Sequence, residues 1–337
     1  MQNKNLLEVK NLSKYFQAKP SIFDNLSKKE KPKLVAVDDV SFTIARGECL
    51  GLVGESGCGK STLAKCILRL LEPDSGEIIL NNLDITHLKG EPLRKIRPQI
   101  QMIFQDPYSS LNPRMSVNSI LTEMLSVHHI VEKKDIPNRV NELLSLSGLT
   151  EDIKDRYPGE FSGGQRQRIG IARAISLNPE FIVADEPVSA LDVSIQAQIL
   201  NLLSDIHEEL NQTLLFISHD LNVVRHITQR VLVMYLGSNV ELGVTKEVFN
   251  KPFHPYTNIL MQASPKLDPR NRKKTYVIEG EPPSPINVPK GCKFHTRCPY
   301  RKEICGIEIP KMRELEEGHF VACHFPLNIN DKSKEGV

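Results

Sequence analysis

The apolar positions of this chain recur with two periods, and the period assigns each segment its element. Short, largely apolar runs at 49–53, 100–104, 181–184 and 213–217 predict strands buried on both faces, as in a parallel sheet. Segments 62–71, 116–149 and 169–177 place apolar residues three and four apart, for example Ile120, Met124 and Leu125, then Val140, Leu143 and Leu144. That spacing predicts helices laid on the sheet, the last stopped by Asn178-Pro179. Leu6 to Val9 alternates, which predicts an edge strand with Tyr15 and Phe16 near its end. Residues 34–37, 40–44 and 77–80 read as further strands, and 231–235 with 239–242, joined through Gly237, as a hairpin. The stretch from 116 to 149 reads as an all-helical insertion. Beyond Lys251-Pro-Phe-His-Pro255 the pattern turns proline-rich and irregular, which sets a domain boundary near residue 250. The fold class that follows is α/β.

One loop sits where such a sheet binds ligands. Gly54-Glu-Ser-Gly-Cys-Gly-Lys-Ser-Thr62 joins the 49–53 strand to the next helix, and the spacing of Gly54, Gly59, Lys60 and Ser61 fits the G-x-x-x-x-G-K-[ST] phosphate-binding loop. Glycines let backbone amides wrap close to a triphosphate at the positive end of a helix. Lys60 then reaches the β- and γ-phosphates, and the Ser61 hydroxyl ligates Mg²⁺. A glycine turn with a chance lysine is the plainer explanation; strand, loop and helix in the required order argue against it.

Other segments carry matching chemistry. Ser162, Gly163 and Gly164 open the helix that continues through 169–177, a second N-terminus suited to an anion. The 181–184 strand delivers Asp185 and Glu186 at its carboxyl end, where parallel sheets bind ligands, and two acids there argue for magnesium and water chemistry. The 213–217 strand repeats the device and delivers Ser218-His219-Asp220.

Composition narrows the partners. At 40% hydrophobic, 25% charged and net charge +2, the 337-residue chain is ordinary for a globular protein and gives no reason to expect a nucleic-acid partner. Its length allows about two domains. It has no apolar run of about 18 residues, and its N-terminus lacks the apolar core of a signal peptide. The expectation is a cytoplasmic protein that reaches a membrane through a partner. The Lys-rich stretch 17–33 reads as an exposed loop, either a solvated surface or a contact for an acidic partner or lipid headgroups.

The seven cysteines fall in two groups. Cys49, Cys58 and Cys66 surround the phosphate loop as packing residues, with Cys58 a candidate reactive thiol at a helix N-terminus. Cys292, Cys298, Cys305 and Cys323 crowd the C-terminal part, and in a reducing compartment such a cluster binds metal more readily than it forms disulfides. Their spacing lacks the short Cys-x₂-Cys knuckles of structural zinc, while four thiolates also suit a [4Fe–4S] cluster. On the residues alone, iron–sulfur, zinc and free thiols all stay open.

Taken together, these motifs resemble the ATP-binding subunits of ABC transporters. Gly54 to Thr62 is similar to the Walker A loop, Gln105 to the Q-loop, Phe161 to Gln165 to the signature, 181–186 to Walker B, Ser189-Ala-Leu-Asp192 to the D-loop and His219 to the switch histidine. Phe161 stands where leucine is usual. The resemblance implies a P-loop NTPase with a RecA-like core, a helical subdomain over about 106–178 and an antiparallel β subdomain. These make a nucleotide-binding domain over 1–250, followed by a small irregular cysteine-containing domain over 251–337. It also implies a head-to-tail pair of ATPases, each ATP held between one chain's Walker A and the other chain's signature. In that setting Glu186 is the general base, and Asp185 holds Mg²⁺ through a water. His219 contacts the γ-phosphate, and Gln105 senses it while touching Mg²⁺ and the attacking water. Gly54, Ser56, Gly57, Gly59, Lys60, Ser61 and Thr62 cradle the chain's own ATP, while Ser162, Gly163, Gly164 and Gln165 act on the partner's. Phe16, or failing it Tyr15, stacks on adenine. Outside that setting His219 reads as a buried or capping histidine, Gln105 as a surface amide and Phe16 as a core aromatic. Asp192 either shapes the interface or starts the next helix.

A narrower likeness lies in residues 105–115, in the signature segment and in Gly291-Cys-Lys-Phe-His-Thr-Arg-Cys-Pro299, all similar to the oligopeptide/dipeptide importer ATPases of bacteria. The long 16–34 loop resembles the F-type subunit. That implies a D-type ATPase partner, two transmembrane permeases docking at 106–118, and an extracytoplasmic peptide-binding protein. The expected place is peripheral, on the cytoplasmic face of the bacterial cell membrane. It further implies a [4Fe–4S] cluster on the four cysteines, with zinc as the alternative. Import of nickel, glutathione or another small cargo would use the same motifs. A non-transport ABC ATPase is the remaining alternative, but this chain has neither the long coiled coil of the DNA-maintenance members nor the paired cassettes of the translation members.

Overall fold

The computed structural model describes residues 5–17, 33–263 and 281–329, so nearly all of the Lys-rich loop expected at 17–33 lies outside the described residues. Strands β1 (Asn5–Gln17) and β2 (Lys33–Ala45) pair antiparallel. β3 (Cys49–Val53) opens a second sheet and runs through the glycine loop into α1 (Lys60–Ile67). β4 (Ser75–Leu80) returns to the first sheet beside β1, and β5 (Leu83–Asp84) completes it. The order β2-β1-β4-β5 corrects the edge-strand expectation: β1 is interior and hydrogen-bonded on both sides, with Leu7, Val9 and Leu12 buried. Alternation reports one wet face, which an interior antiparallel strand shares with an edge.

The chain continues through α2 (Gly90–Ile96), β6 (Ile100–Ile103), α3 (Pro107–Ser110), α4 (Val117–Val127), α5 (Ile136–Leu146), α6 (Gly163–Ile175), β7 (Phe181–Asp185), α7 (Val193–Leu210) and β8 (Thr213–Ile217). Then follow α8 (Leu221–Ile227), β9 (Arg230–Tyr235), β10 (Ser238–Val244), α9 (Thr245–Asn250), α10 (Pro255–Ala263), β11 (Arg313–Glu316) and β12 (His319–Val321). The second sheet has eight strands in the order β11-β12-β10-β9-β3-β8-β7-β6. The run from β9 to β6 is parallel, and β9-β10, the expected hairpin, starts an antiparallel flank.

Why the central runs are continuously apolar is visible in how their side chains divide. In β3, Cys49 and Val53 enter one core while Leu50 and Leu52 enter the other; Ile182 and Ala184 of β7 oppose Phe181 and Val183 in the same way. A strand covered on both faces has no polar side to present. Register then lines up the functional ends: Leu52 pairs with Ile217, and Ile217 with Asp185. The segments that follow β3, β7 and β8 therefore leave the sheet at one edge. No helix among the described residues is long and apolar enough to cross a membrane.

Candidate nucleotide site

At that edge a cavity of about 300 Å³ is lined by Phe16, Leu34, Val35 and Ala36, by Ser56, Gly57, Gly59, Lys60, Ser61 and Thr62, and by Gln105 and Glu186. Its floor is the glycine loop. Gly59 runs at φ +106°, and a Cβ there would stand 2.0 Å from the Ala36 carbonyl oxygen, so the loop is pressed against β2 in a way a side chain forbids. Lys60 is 5% exposed, and its ammonium donates to the carbonyls of Gly54 at 2.8 Å and Glu55 at 3.1 Å. The ammonium is thus held inside the loop, where phosphate oxygens are stronger acceptors than amide carbonyls. Gly57 has open space around it, which leaves the loop's inner surface as a cradle of backbone.

The carboxylates behave differently. Asp185 is buried and accepts from the Ser61 hydroxyl at 3.0 Å; burial pushes its carboxyl above the usual aspartate range, and the hydroxyl partly opposes that rise. Hydroxyl and carboxylate oxygen side by side suit a hard cation such as Mg²⁺. Glu186, one residue on, sits at φ +48°, a backbone region rarely taken by a glutamate and costing on the order of 1–3 kcal/mol. That twist turns Glu186 into the cavity, where it accepts from Gln105 Nε2 at 3.0 Å and lies 3.3 Å from His219 Nδ1. The histidine itself is largely exposed.

Not every expected residue meets there. Phe16 lines the cavity, whereas the neighbouring Tyr15 donates its hydroxyl to Asp38 at 2.9 Å instead. Ser162, Gly163, Gly164 and Gln165 lie outside the cavity's lining, at the start of α6. Ser162 and Gln165 cap each other: the Gln165 amide donates to Ser162 Oγ at 3.3 Å, and Gln165 Oε1 accepts from the Ser162 amide at 3.0 Å. Gly164 lies under Ile195 of α7. Asp192 takes the N-cap position of α7, its carbonyl accepting from Ile195 and Gln196. The β2 wall formed by Leu34, Val35 and Ala36 escaped sequence reasoning, because those residues carry no chemistry of their own.

The cysteines divide as grouped in the sequence. Cys58 is buried, and burial pushes its thiol up, which corrects the expectation of a reactive thiol there. Cys292, Cys298, Cys305 and Cys323 line one small cavity beside His254 and Phe294. Burial pushes the thiols of Cys298 up to about 11 and Cys323 up to about 12. The sulfur donor set fits a cluster or zinc in kind, but among the described residues no three His, Cys, Asp or Glu are gathered closely enough to hold a metal ion.

A glycine loop wrapped at the end of a parallel strand, facing two acids at the same end of β7, one strand removed across β8, defines a P-loop nucleotide-binding protein. The profile of the ABC transporter family matches residues 37–189, and that of the oligopeptide/dipeptide transporter C-terminal region matches 240–305. The chain is 51% identical over 322 residues to the oligopeptide transport ATP-binding protein AppF of Bacillus subtilis, covering 95% of this chain and 97% of that one. It is 49% identical to the probable peptide ABC transporter ATP-binding protein y4tS of Sinorhizobium fredii, covering 95% and 89%. Among solved structures, the dimeric ATP-binding cassette MJ0796 bound to ADP and Pi superposes with a TM-score of 0.61 at 28% identity, over 71% of this chain and 98% of that one. The cbiO1 protein of Clostridium perfringens, part of an ABC transporter complex, gives 0.62 at 28%, over 74% and 92%. This chain belongs to the ATP-hydrolysing subunits of ABC transporters, in the branch that carries the oligopeptide/dipeptide transporter C-terminal region.

Proposed function

We propose that this chain hydrolyses ATP to drive import of peptides, on the cytoplasmic face of a bacterial cell membrane. The observation that carries it is the convergence of Lys60, Ser61, Gln105, Asp185, Glu186 and His219 at one cavity edge. The peptide cargo is supported by the likeness to AppF and y4tS. In this reading Lys60 and the loop amides hold the triphosphate, and Ser61 with Asp185 holds Mg²⁺, which neutralises charge building on the phosphate oxygens. Glu186 accepts the proton of the attacking water, oriented by Gln105 and His219. Phe16 stacks on adenine, and Ser162, Gly163, Gly164 and Gln165 serve the nucleotide of a second, D-type ATPase. Their place outside the lining of the chain's own cavity supports that division of labour. Two permeases docking at 106–118 and an extracytoplasmic binding protein complete the assembly. The chain divides near residue 250 into a nucleotide-binding part, 1–250, whose helical subdomain spans about 106–178, and a C-terminal part, 251–337.

Glu186→Gln tests the chemistry. It is expected to abolish steady-state hydrolysis in the assembled transporter while ATP still binds, because the amide cannot take a proton; unchanged turnover would remove Glu186 as the base. Cys292, Cys298, Cys305 and Cys323 are assigned a [4Fe–4S] cluster, with zinc the alternative, on the strength of their all-sulfur donor set and the likeness of the 291–299 segment to the importer tail; all four line one cavity, and binding would have to draw them closer. Iron, sulfide and zinc analysis of anaerobically purified protein tests this, and less than one metal site per chain would reject it.

A further inference from the structure

The second residue of the phosphate loop, Glu55, has no assigned role in nucleotide binding, yet the C-terminal part of the chain is anchored on it. Arg297 meets the Glu55 carboxylate with two parallel hydrogen bonds, Nη1 to Oε2 at 2.9 Å and Nη2 to Oε1 at 3.3 Å. The Arg297 side chain is 7% exposed and that of Glu55 22%, so the pair is well shielded from water. The Glu55 backbone amide, a phosphate-loop donor, is taken by the hydroxyl of Tyr256 at 2.9 Å. Four residues before Arg297, Lys293 meets Asp38 at 2.8 Å, and Asp38 in turn accepts from Tyr15, the neighbour of Phe16. One short stretch of the C-terminal part therefore grips both the phosphate side and the adenine side of the cavity.

We propose that Arg297 is a positioning residue of the nucleotide site, holding the phosphate loop in its binding shape through Glu55 and neutralising the one carboxylate that the loop carries. The inference rests on the nucleotide reading above. Without the guanidinium, Glu55 would stand as an uncompensated negative charge in a loop built for a polyphosphate, and the loop would lose its outer tether.

The test is titration of MgATP into the full chain and its variants. Arg297→Met is expected to weaken ATP binding by about tenfold or more, the usual consequence of breaking a shielded, hydrogen-bonded charge pair. Adding Glu55→Gln to Arg297→Met removes the stranded charge and is expected to return affinity to within about threefold of the unaltered chain, whereas damage to the fold at large would not be repaired. Arg297→Lys, which keeps charge but loses the two-pronged grip, is expected to fall between and to speed amide exchange across residues 54–60. ATP affinity unchanged in Arg297→Met, a double variant as weak as the single one, or unaltered exchange in Arg297→Lys would each overturn the proposal. Failure of the unaltered chain to bind ATP would instead strike at the nucleotide reading itself.

Discussion

At Gly59 and Glu186 the backbone enters the left-handed region for opposite reasons. Gly59 must be glycine, since its Cβ would strike the Ala36 carbonyl. Gly59→Ala is expected to push the phosphate loop off β2, costing on the order of 1–3 kcal/mol in stability and weakening ATP binding at least about tenfold. Thermal unfolding and nucleotide titration check the two effects, and wild-type affinity would show that the loop tolerates the methyl group. Glu186 holds a strained conformation that places its carboxylate between Gln105 and His219. Such strain persists only where neighbours over-determine it, here the Ile217 carbonyl accepting from the Glu186 amide at 3.0 Å.

At the scale of elements, the contact of α6 with α7 decides where the signature turn sits. A Cβ on Gly164 would come within 2.5 Å of Ile195 Cγ2, so the two helices meet at a glycine. Gly164→Leu is expected to wedge them apart, an overpacking that typically costs about 1–3 kcal/mol. Because Gly164 lies outside the chain's own cavity, the isolated variant should bind ATP like the unaltered chain while hydrolysis by the assembled transporter falls. Lost ATP binding in the isolated chain would contradict a role across the interface. The capping pair of Ser162 and Gln165 builds the helix end from its own side chains, with Ser162 exposed and outside the chain's own cavity.

Over the whole molecule, the C-terminal part is stitched to the sheet that carries the site. β12 pairs with β10, and the fully buried Glu241 of β10 accepts from the amides of Phe253 at 2.7 Å and His254 at 2.9 Å and meets His319 Nε2 at 2.7 Å. Glu241→Ala strands two buried amides and an imidazole, each costing about 1–3 kcal/mol when unsatisfied. The expected loss is several kcal/mol, on the order of what holds an ordinary domain together. Chemical denaturation measures it, and a loss below about 1 kcal/mol would show that water replaces the carboxylate.

Much of this was legible in advance. Apolar runs gave the strands at 49–53, 181–184 and 213–217, and spacing along the chain gave the glycine loop, the paired acids and the histidine, because both kinds of signal depend on near neighbours. Only the folded chain decided that β1 is interior, that Phe16 rather than Tyr15 faces the cavity, and that Cys58 is shielded. The same holds for Arg297, which lies 242 residues from the Glu55 it grips. A period tells which side of a segment is buried; it does not name the distant segment that covers it, and that choice is made by register and packing across the whole sheet.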